Sequence, residues 1–360
     1  MNIIEKFCKK KVIITSCAAV AALALVVGVS CGIVACNNKN KGNDINSLRS
    51  KYEYVDENKD SVYLGYYPQS KVEDESLIKT LNDKAGSIPT ESNFGSWNDY
   101  KYYQSGVQKS YMFYIDIDEN KDGYNDYRGV YFTSYRPEST SDGGPSETYS
   151  YQANAGYTKN NVYWFKYKKI KWLIISNNSG KAQLLSELQL DAQSYLNIDT
   201  QRSEATDYQG NKKTGTIYQN NYQFSSIRSW INQDFYNTAF SDKEKDLILT
   251  TTVDNGVDSV RDNEADKSFV CDNTEDKLFL LSFKECSSNL LTNYEANGSD
   301  YALSQGLISY VSDNITHYAS YWMRSPAQNT GEARIMSSSY YQYETKYNTM
   351  GVRVSCNINL

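Results

Sequence analysis

The order of apolar patterns predicts an α+β domain, with strands first, a helical middle and strands again, rather than the regular alternation of a doubly wound parallel sheet. Two segments carry most of this. After Ser225, the residues Ile227, Trp230, Ile231 and Phe235 fall at i, i+3, i+4 and i+8, one apolar stripe of a helix. At the C-terminus, Val352, Val354, Cys356 and Ile358 share one face and Arg353, Ser355 and Asn357 the other, the period of two of a half-buried strand.

The remaining elements follow in chain order. Structure is expected to start at Ser61 with the run to Pro68, and Leu77, Ile78 and Leu81 after acidic residues suit a short amphipathic helix. Tyr111 to Ile117 reads as a strand leading into an acidic loop. The β-branched run Ile170 to Ile175, the Asn177-Asn178-Ser179-Gly180 break and Ala182 to Leu185 form a hairpin. Ser241 with Glu244, and Ser282 with Glu285, are capping-box pairs that open further helices. Tyr321 to Arg324, Ala333 to Met336 and Gly351 to Ile358 close the chain as strands.

Lys9, Lys10 and Lys11 precede 24 uncharged residues, Val12 to Ala35, which is the pattern of an export signal or a membrane anchor. The junction Ile33-Val34-Ala35-Cys36 has an aliphatic residue at minus three and a small one at minus one, and it resembles the lipobox of lipoproteins. This predicts a signal peptide over residues 1–35, lipid on Cys36, a flexible linker over 36–60 and one domain over 61–360 with an inserted acidic loop near 116–130. Cleavage before Cys31 and retention of the apolar run as a transmembrane anchor are the alternatives. The expected location is the outer face of the cell membrane. Of the seven cysteines, Cys271, Cys286 and Cys356 would remain in the domain, an odd set that allows at most one internal disulfide.

Charge and histidine content exclude several classes. Lys plus Arg number 37 against 43 Asp plus Glu, and no basic block lies beyond the N-terminus, so nucleic acid is not an expected partner. The only histidine, His317, cannot form a His-pair metal motif and is read as a polar residue at a strand entrance. The acidic loop is the candidate metal site. Asp118, Asn120 and Asp122 supply oxygens at alternate positions, Gly123 allows a sharp turn, Tyr124 would offer its backbone carbonyl and Asp126 takes the ninth position, as Ca²⁺ loops require. The twelfth position is Gly129 in place of a bidentate glutamate, and a plain acidic turn is the competing reading. Tyrosines cluster at 100, 102 and 103 and at 340, 341 and 343, where they could stack on sugars or build a protein-binding surface; sheet packing is the alternative.

Seven blocks occur in a recognisable order: Leu64-Gly65-Tyr66-Tyr67-Pro68-Gln69-Ser70, Ile170-Lys171-Trp172, Leu184-Leu185-Ser186-Glu187, Ile227 to Asn232, Leu280-Leu281-Ser282, Tyr321 to Pro326 and Gly351-Val352-Arg353. Together they resemble an uncharacterised bacterial domain of exported and surface proteins whose members carry W-L-R-S-P and G-V-R-P-A motifs. Here Met323 replaces Leu, and Val354-Ser355 replaces Pro-Ala. That family is in turn distantly similar to C-type-lectin-like domains of the formylglycine-generating-enzyme type. The resemblance implies a ligand-presenting scaffold with variable loops. The oxidases use two nearby C-terminal cysteines, and this chain has only Cys356 there, so their catalysis is not carried over. The expectation is therefore a non-catalytic surface lipoprotein that binds a glycan or a host or partner protein, with Trp172, Trp230, Trp322, Arg324 and Arg353 building the fold. The alternative is an exported glycan hydrolase with paired carboxylates.

Overall fold

One strand, Val162–Asn178, organises the molecule. Along one edge it pairs antiparallel with Ser61–Lys71, from Lys71 opposite Phe165 to Ser61 opposite Leu173. Its other edge is shared by Tyr127–Phe132 beside the first third and Lys181–Ser186 beside the last. The sheet grows outward to ten strands, through Met112–Ile117 and Asn98–Asp99 on one side and Ser355–Asn359 on the other. The computed structural model describes residues 49–360 apart from 101, 105–106, 110, 137–149, 198–199, 289–294, 313–315, 337–339 and 345–348. The signal segment and Cys36 lie outside the described residues.

Local chemistry explains the elements. The hairpin turns at Ser179 and Gly180, which both have positive φ (55° and 87°), the two-residue geometry that matches strand twist. Gly65 sits at φ 75° beside a bulge in Ser61–Lys71, and a Cβ there would lie 2.6 Å from the Phe240 ring. The helix Glu75–Ala85 is capped by Asp74, which accepts from the backbone of Ser76 and Leu77. Both capping boxes form, at Ser241 with Glu244 and Ser282 with Glu285. The helical stripe after Ser225 is a compound element: an α-turn over Ser226–Trp230, a π-helical turn over Ile231–Phe235 and a second α-turn over Tyr236–Ala239. Its Ile227, Ile231 and Phe235 are buried in the main core with Leu64, Trp172 and Trp322.

A second sheet of five strands runs Asp191–Gln193, Met350–Val352, Tyr321–Pro326, Glu332–Met336 and Tyr340–Glu344, antiparallel except where Tyr321 meets Gly351. Mixed antiparallel sheets with short helices are the α+β class that the order of elements predicts.

Two details differ from the sequence reading. The C-terminal segment is not one half-buried strand: Met350–Val352 belongs to the smaller sheet and Ser355–Asn359 to the larger one, with Arg353 and Val354 at the crossing. Both of its faces are buried, because its polar residues find partners inside. Ser355 Oγ donates to Leu184 O (2.7 Å), and Asn357 Nδ2 donates to Thr251 Oγ1 (2.8 Å). Residues ahead of Ser61 also join the packed structure. Glu53–Tyr54 pairs with Val62 and Tyr63, and Arg49 donates to Ala239 O and to Glu244.

Candidate functional site

A cavity of about 500 Å³ opens between the edge of the large sheet and the compound helix. Sheet residues Asp99, Tyr100, Tyr114 and Arg128 line one side, and Trp230, Gln233 and Asp234 line the helix side. The π-turn matters to this wall. It adds a residue per turn just after Trp230, an irregularity often found where a helix serves a site. Trp230, expected in the core stripe, is only partly buried; its ring lies tilted against Phe235 with centroids 5.8 Å apart.

The floor is held by two buried ionic groups. Arg128 forms a bidentate pair with Asp116 (2.8 and 2.7 Å), donates to Tyr301 Oη (3.2 Å) and lies 4.5 Å over the Tyr114 ring. Burial works against its charge, yet the Asp116 carboxylate prevails and holds the guanidinium well above its ordinary pKa. Asp191 is fully buried and accepts from Tyr67 Oη (2.6 Å), Tyr100 Oη (2.9 Å) and Ala192 N (2.7 Å). Desolvation still raises its pKa against those donors. Tyr67 and Tyr100 are thus fixed from below, and Gln193 reaches the same Tyr100 hydroxyl at 2.7 Å.

The far rim rests on a second buried arginine. Arg228 donates to Asp276 (3.0 Å to each oxygen), Asp207 (3.2 Å) and Gln223 O (2.8 Å). Tyr208 Oη donates to the same Asp276 at 2.9 Å. Gln223 therefore has its backbone committed, while its side-chain Oε1, shielded from solvent, meets no donor among the described residues. A shielded acceptor without a partner costs about 1–3 kcal/mol unless something fills it. What the arrangement offers is a polar cavity with aromatic walls and fixed carboxylates.

Residues singled out from the sequence fall mostly elsewhere. Trp172 is fully buried and donates Nε1 to Leu64 O (2.8 Å), and Trp322 donates to Gln193 O (2.8 Å). Arg324 donates to the carbonyls of Asp254 (3.2 and 3.1 Å) and Leu280 (2.7 Å) and pairs with Glu285. Arg353 donates to Ser186 O (3.0 Å) and Tyr321 Oη (3.3 Å). Gly351 precedes it because the Gln189 side-chain amide occupies the space a Cβ would need. Cys271, Cys286 and Cys356 are free thiols, and burial raises their pKa values, those of Cys271 and Cys286 to about 11 and about 12. His317 lies in the strand Thr316–Ala319. Of the tyrosine clusters, Tyr100 joins the cavity.

The acidic loop folds on itself. Asp118 accepts from Asp122 N (3.1 Å) and Gly123 N (2.7 Å), Asn120 Oδ1 from Asp122 N (2.9 Å), Asp122 from Tyr124 N (2.9 Å), and Asp126 from Glu119 N (2.9 Å) and Asn120 N (3.1 Å). Burial raises the pKa of Asp126, and the nearby charges of Asp122 and Asp118 add to the rise. The oxygens suit a hard cation, but Gly129 at the twelfth position is paired in the sheet and offers no side chain. No group of three or more acidic, histidine or cysteine residues that could hold a metal gathers among the described residues.

Most of the cavity was invisible in the sequence, because its walls come from segments more than a hundred residues apart. Only the tyrosine cluster and the helix stripe gave a signal. Residues 171–360 match the family described as a domain of unknown function, DUF6273. No curated protein and no solved structure matches the chain. The cavity straddles the start of the match: Tyr67, Asp99, Tyr100, Tyr114 and Arg128 precede it, whereas Asp207, Gln223, Trp230 and Asp234 lie within it.

Proposed function

The chain belongs to the DUF6273 family, whose function is unassigned, and from its cavity we propose that it is a non-catalytic glycan-binding protein. One observation carries the reading: the 500 Å³ cavity combines the aromatic side chains of Tyr100, Tyr114, Tyr208 and Trp230 with the polar side chains of Gln233 and Asp234. Aromatic rings stack on the apolar faces of sugars, and polar groups placed beside them select hydroxyls and amides. The lectin-like scaffold implied by the sequence motifs accords with this use. In the same reading Cys36 carries the lipid, the domain faces outward from the cell membrane, and the loop with Asp118, Asn120, Asp122, Tyr124 and Asp126 takes Ca²⁺. The full-length chain in a non-glycosidic detergent, applied to a glycan array, should bind a defined subset of glycans, and Trp230→Ala should lose them. Binding to none would sink the proposal and favour a protein ligand.

A second reading, an exported glycan hydrolase, draws on the carboxylates of Asp99 and Asp234, which reach one cavity from different elements. Release of reducing ends from bound glycans, abolished by Asp234→Asn, would replace the non-catalytic reading with this one.

A further inference from the structure

A second cavity, about 440 Å³, adjoins the first. Three features tie them together. Thr238 lines both. The Arg128–Asp116 pair stands between them, since Arg128 faces the first cavity while the half-buried Asp116 and its hydrogen-bond donor Tyr167 face the second. And the compound helix runs past both, presenting Trp230 and Asp234 to the first and Asn237 to the second. Trp230 and Asn237 lie at opposite ends of the π-turn Ile231–Phe235, so more than one helical turn separates them.

The second cavity repeats the chemistry of the first at its own end. Tyr124 supplies an aromatic ring, held in place by the Arg49 guanidinium 4.1 Å from its centre, and Arg49 is itself anchored on Ala239 O and Glu244. Asn237 and Lys245 add polar groups, with Lys245 Nζ donating to Asn237 Oδ1 at 3.0 Å. A monosaccharide has no use for both chambers.

We propose that the two cavities are consecutive subsites of one groove, and that the ligand is a linear oligosaccharide spanning the Arg128–Asp116 ridge. This rests on the glycan-binding reading and narrows it to a polymer class. Each chamber contributes its own binding free energy, so affinity depends on chain length until both are filled.

The test is calorimetric titration of the full-length chain with two ladders, β-1,4-linked N-acetylglucosamine and β-1,4-linked glucose, each from the monosaccharide to the hexasaccharide. Affinity should rise by about tenfold or more with length on one ladder and then level off, a change of about 1.4 kcal/mol. Tyr124→Ala and Asn237→Ala should pull the longer members down to the affinity of the short ones. Asn237 is exposed, so its variant folds even if the Tyr124 change disturbs the loop. Length-independent binding that still requires Trp230 overturns the groove and leaves a single glycan pocket. No response on either ladder, from a chain that binds other glycans on the array, overturns the linear-oligosaccharide assignment alone; no glycan binding at all overturns the parent reading with it.

Discussion

Trp172 donates its indole N–H to the carbonyl of Leu64 at 2.8 Å, and this bond joins the DUF6273 segment to a strand that precedes it. Both residues are buried in the same core. The long strand Val162–Asn178 is divided by the start of the match, and its partners Ser61–Lys71 and Tyr127–Phe132 both lie before that point.

A fragment limited to residues 171–360 should therefore fail to fold. It would expose Trp172 and leave the backbone of its first strand unpaired along one edge, an aggregation-prone edge. Near-UV circular dichroism should show native aromatic signal for the full chain and none for the fragment. A cooperative thermal transition in the fragment would show that the preceding strands are an accessory layer.

The Glu285–Arg324 pair gives the fold an acid-sensitive point. Burial opposes ionisation of Glu285, but Arg324 and the Ser282 backbone hold its pKa below the ordinary value of 4.5. A depressed carboxyl stabilises the fold above its unfolded pKa, and that contribution is lost as pH falls through the folded value. Melting temperature should drop more steeply below pH 4.5 in the parent than in Glu285→Gln, which should already be less stable at neutral pH. Parallel curves would mean that Glu285 titrates alike in both states.

Local signals were legible in the sequence where one short segment decides the outcome. The stripe Ile227, Ile231 and Phe235, the boxes at Ser241 and Ser282, and the Ser179-Gly180 turn all formed. What was hidden depends on distant partners. Alternation from Val352 to Ile358 cannot distinguish a solvent-facing strand from one whose Ser355 and Asn357 hydrogen-bond inside the core. Arg49 is held by Glu244, which also accepts from Gly65 N (3.0 Å) and Ser241 N (2.8 Å), and nothing near Arg49 in the sequence announces that meeting. Trp230 shares its spacing with core residues and differs only because the cavity opens beside it.

Lipidation is predicted at Cys36, from the Ile-Val-Ala-Cys junction that follows the basic start and uncharged run. Mass spectrometry of the mature N-terminus should find a diacylglyceryl cysteine. Recovery of an unmodified peptide spanning Gly32 to Lys39 would point to the uncleaved anchor instead.

Calcium should bind the loop that contains Asp118, Asn120, Asp122 and Asp126, with Tyr124 adding its carbonyl. Calorimetric titration into the chelator-treated chain should show heat, and Asp118→Asn should weaken it. Without the bidentate twelfth ligand, affinity should fall toward the weak extracellular range of about 10⁻⁴–10⁻³ M. Neither heat nor a rise in melting temperature at millimolar calcium would leave a turn held by its own backbone bonds.

The arginines of the two C-terminal motifs should prove structural. Arg324 satisfies the carbonyls of Asp254 and Leu280 and the carboxylate of Glu285, and Arg353 satisfies Ser186 O and the Tyr321 hydroxyl. Both guanidinium groups are buried, and neither lines the large cavity. Truncation to alanine removes these donors from buried acceptors at about 1–3 kcal/mol each, so both variants should unfold at lower urea concentrations. Arg324→Lys should recover only part of the loss, since one ammonium cannot span two carbonyls and a carboxylate as the planar fork does. Glycan affinity measured well below the new melting temperature should match the parent. A variant with parental stability that no longer binds would put that arginine in the ligand site and end the structural assignment.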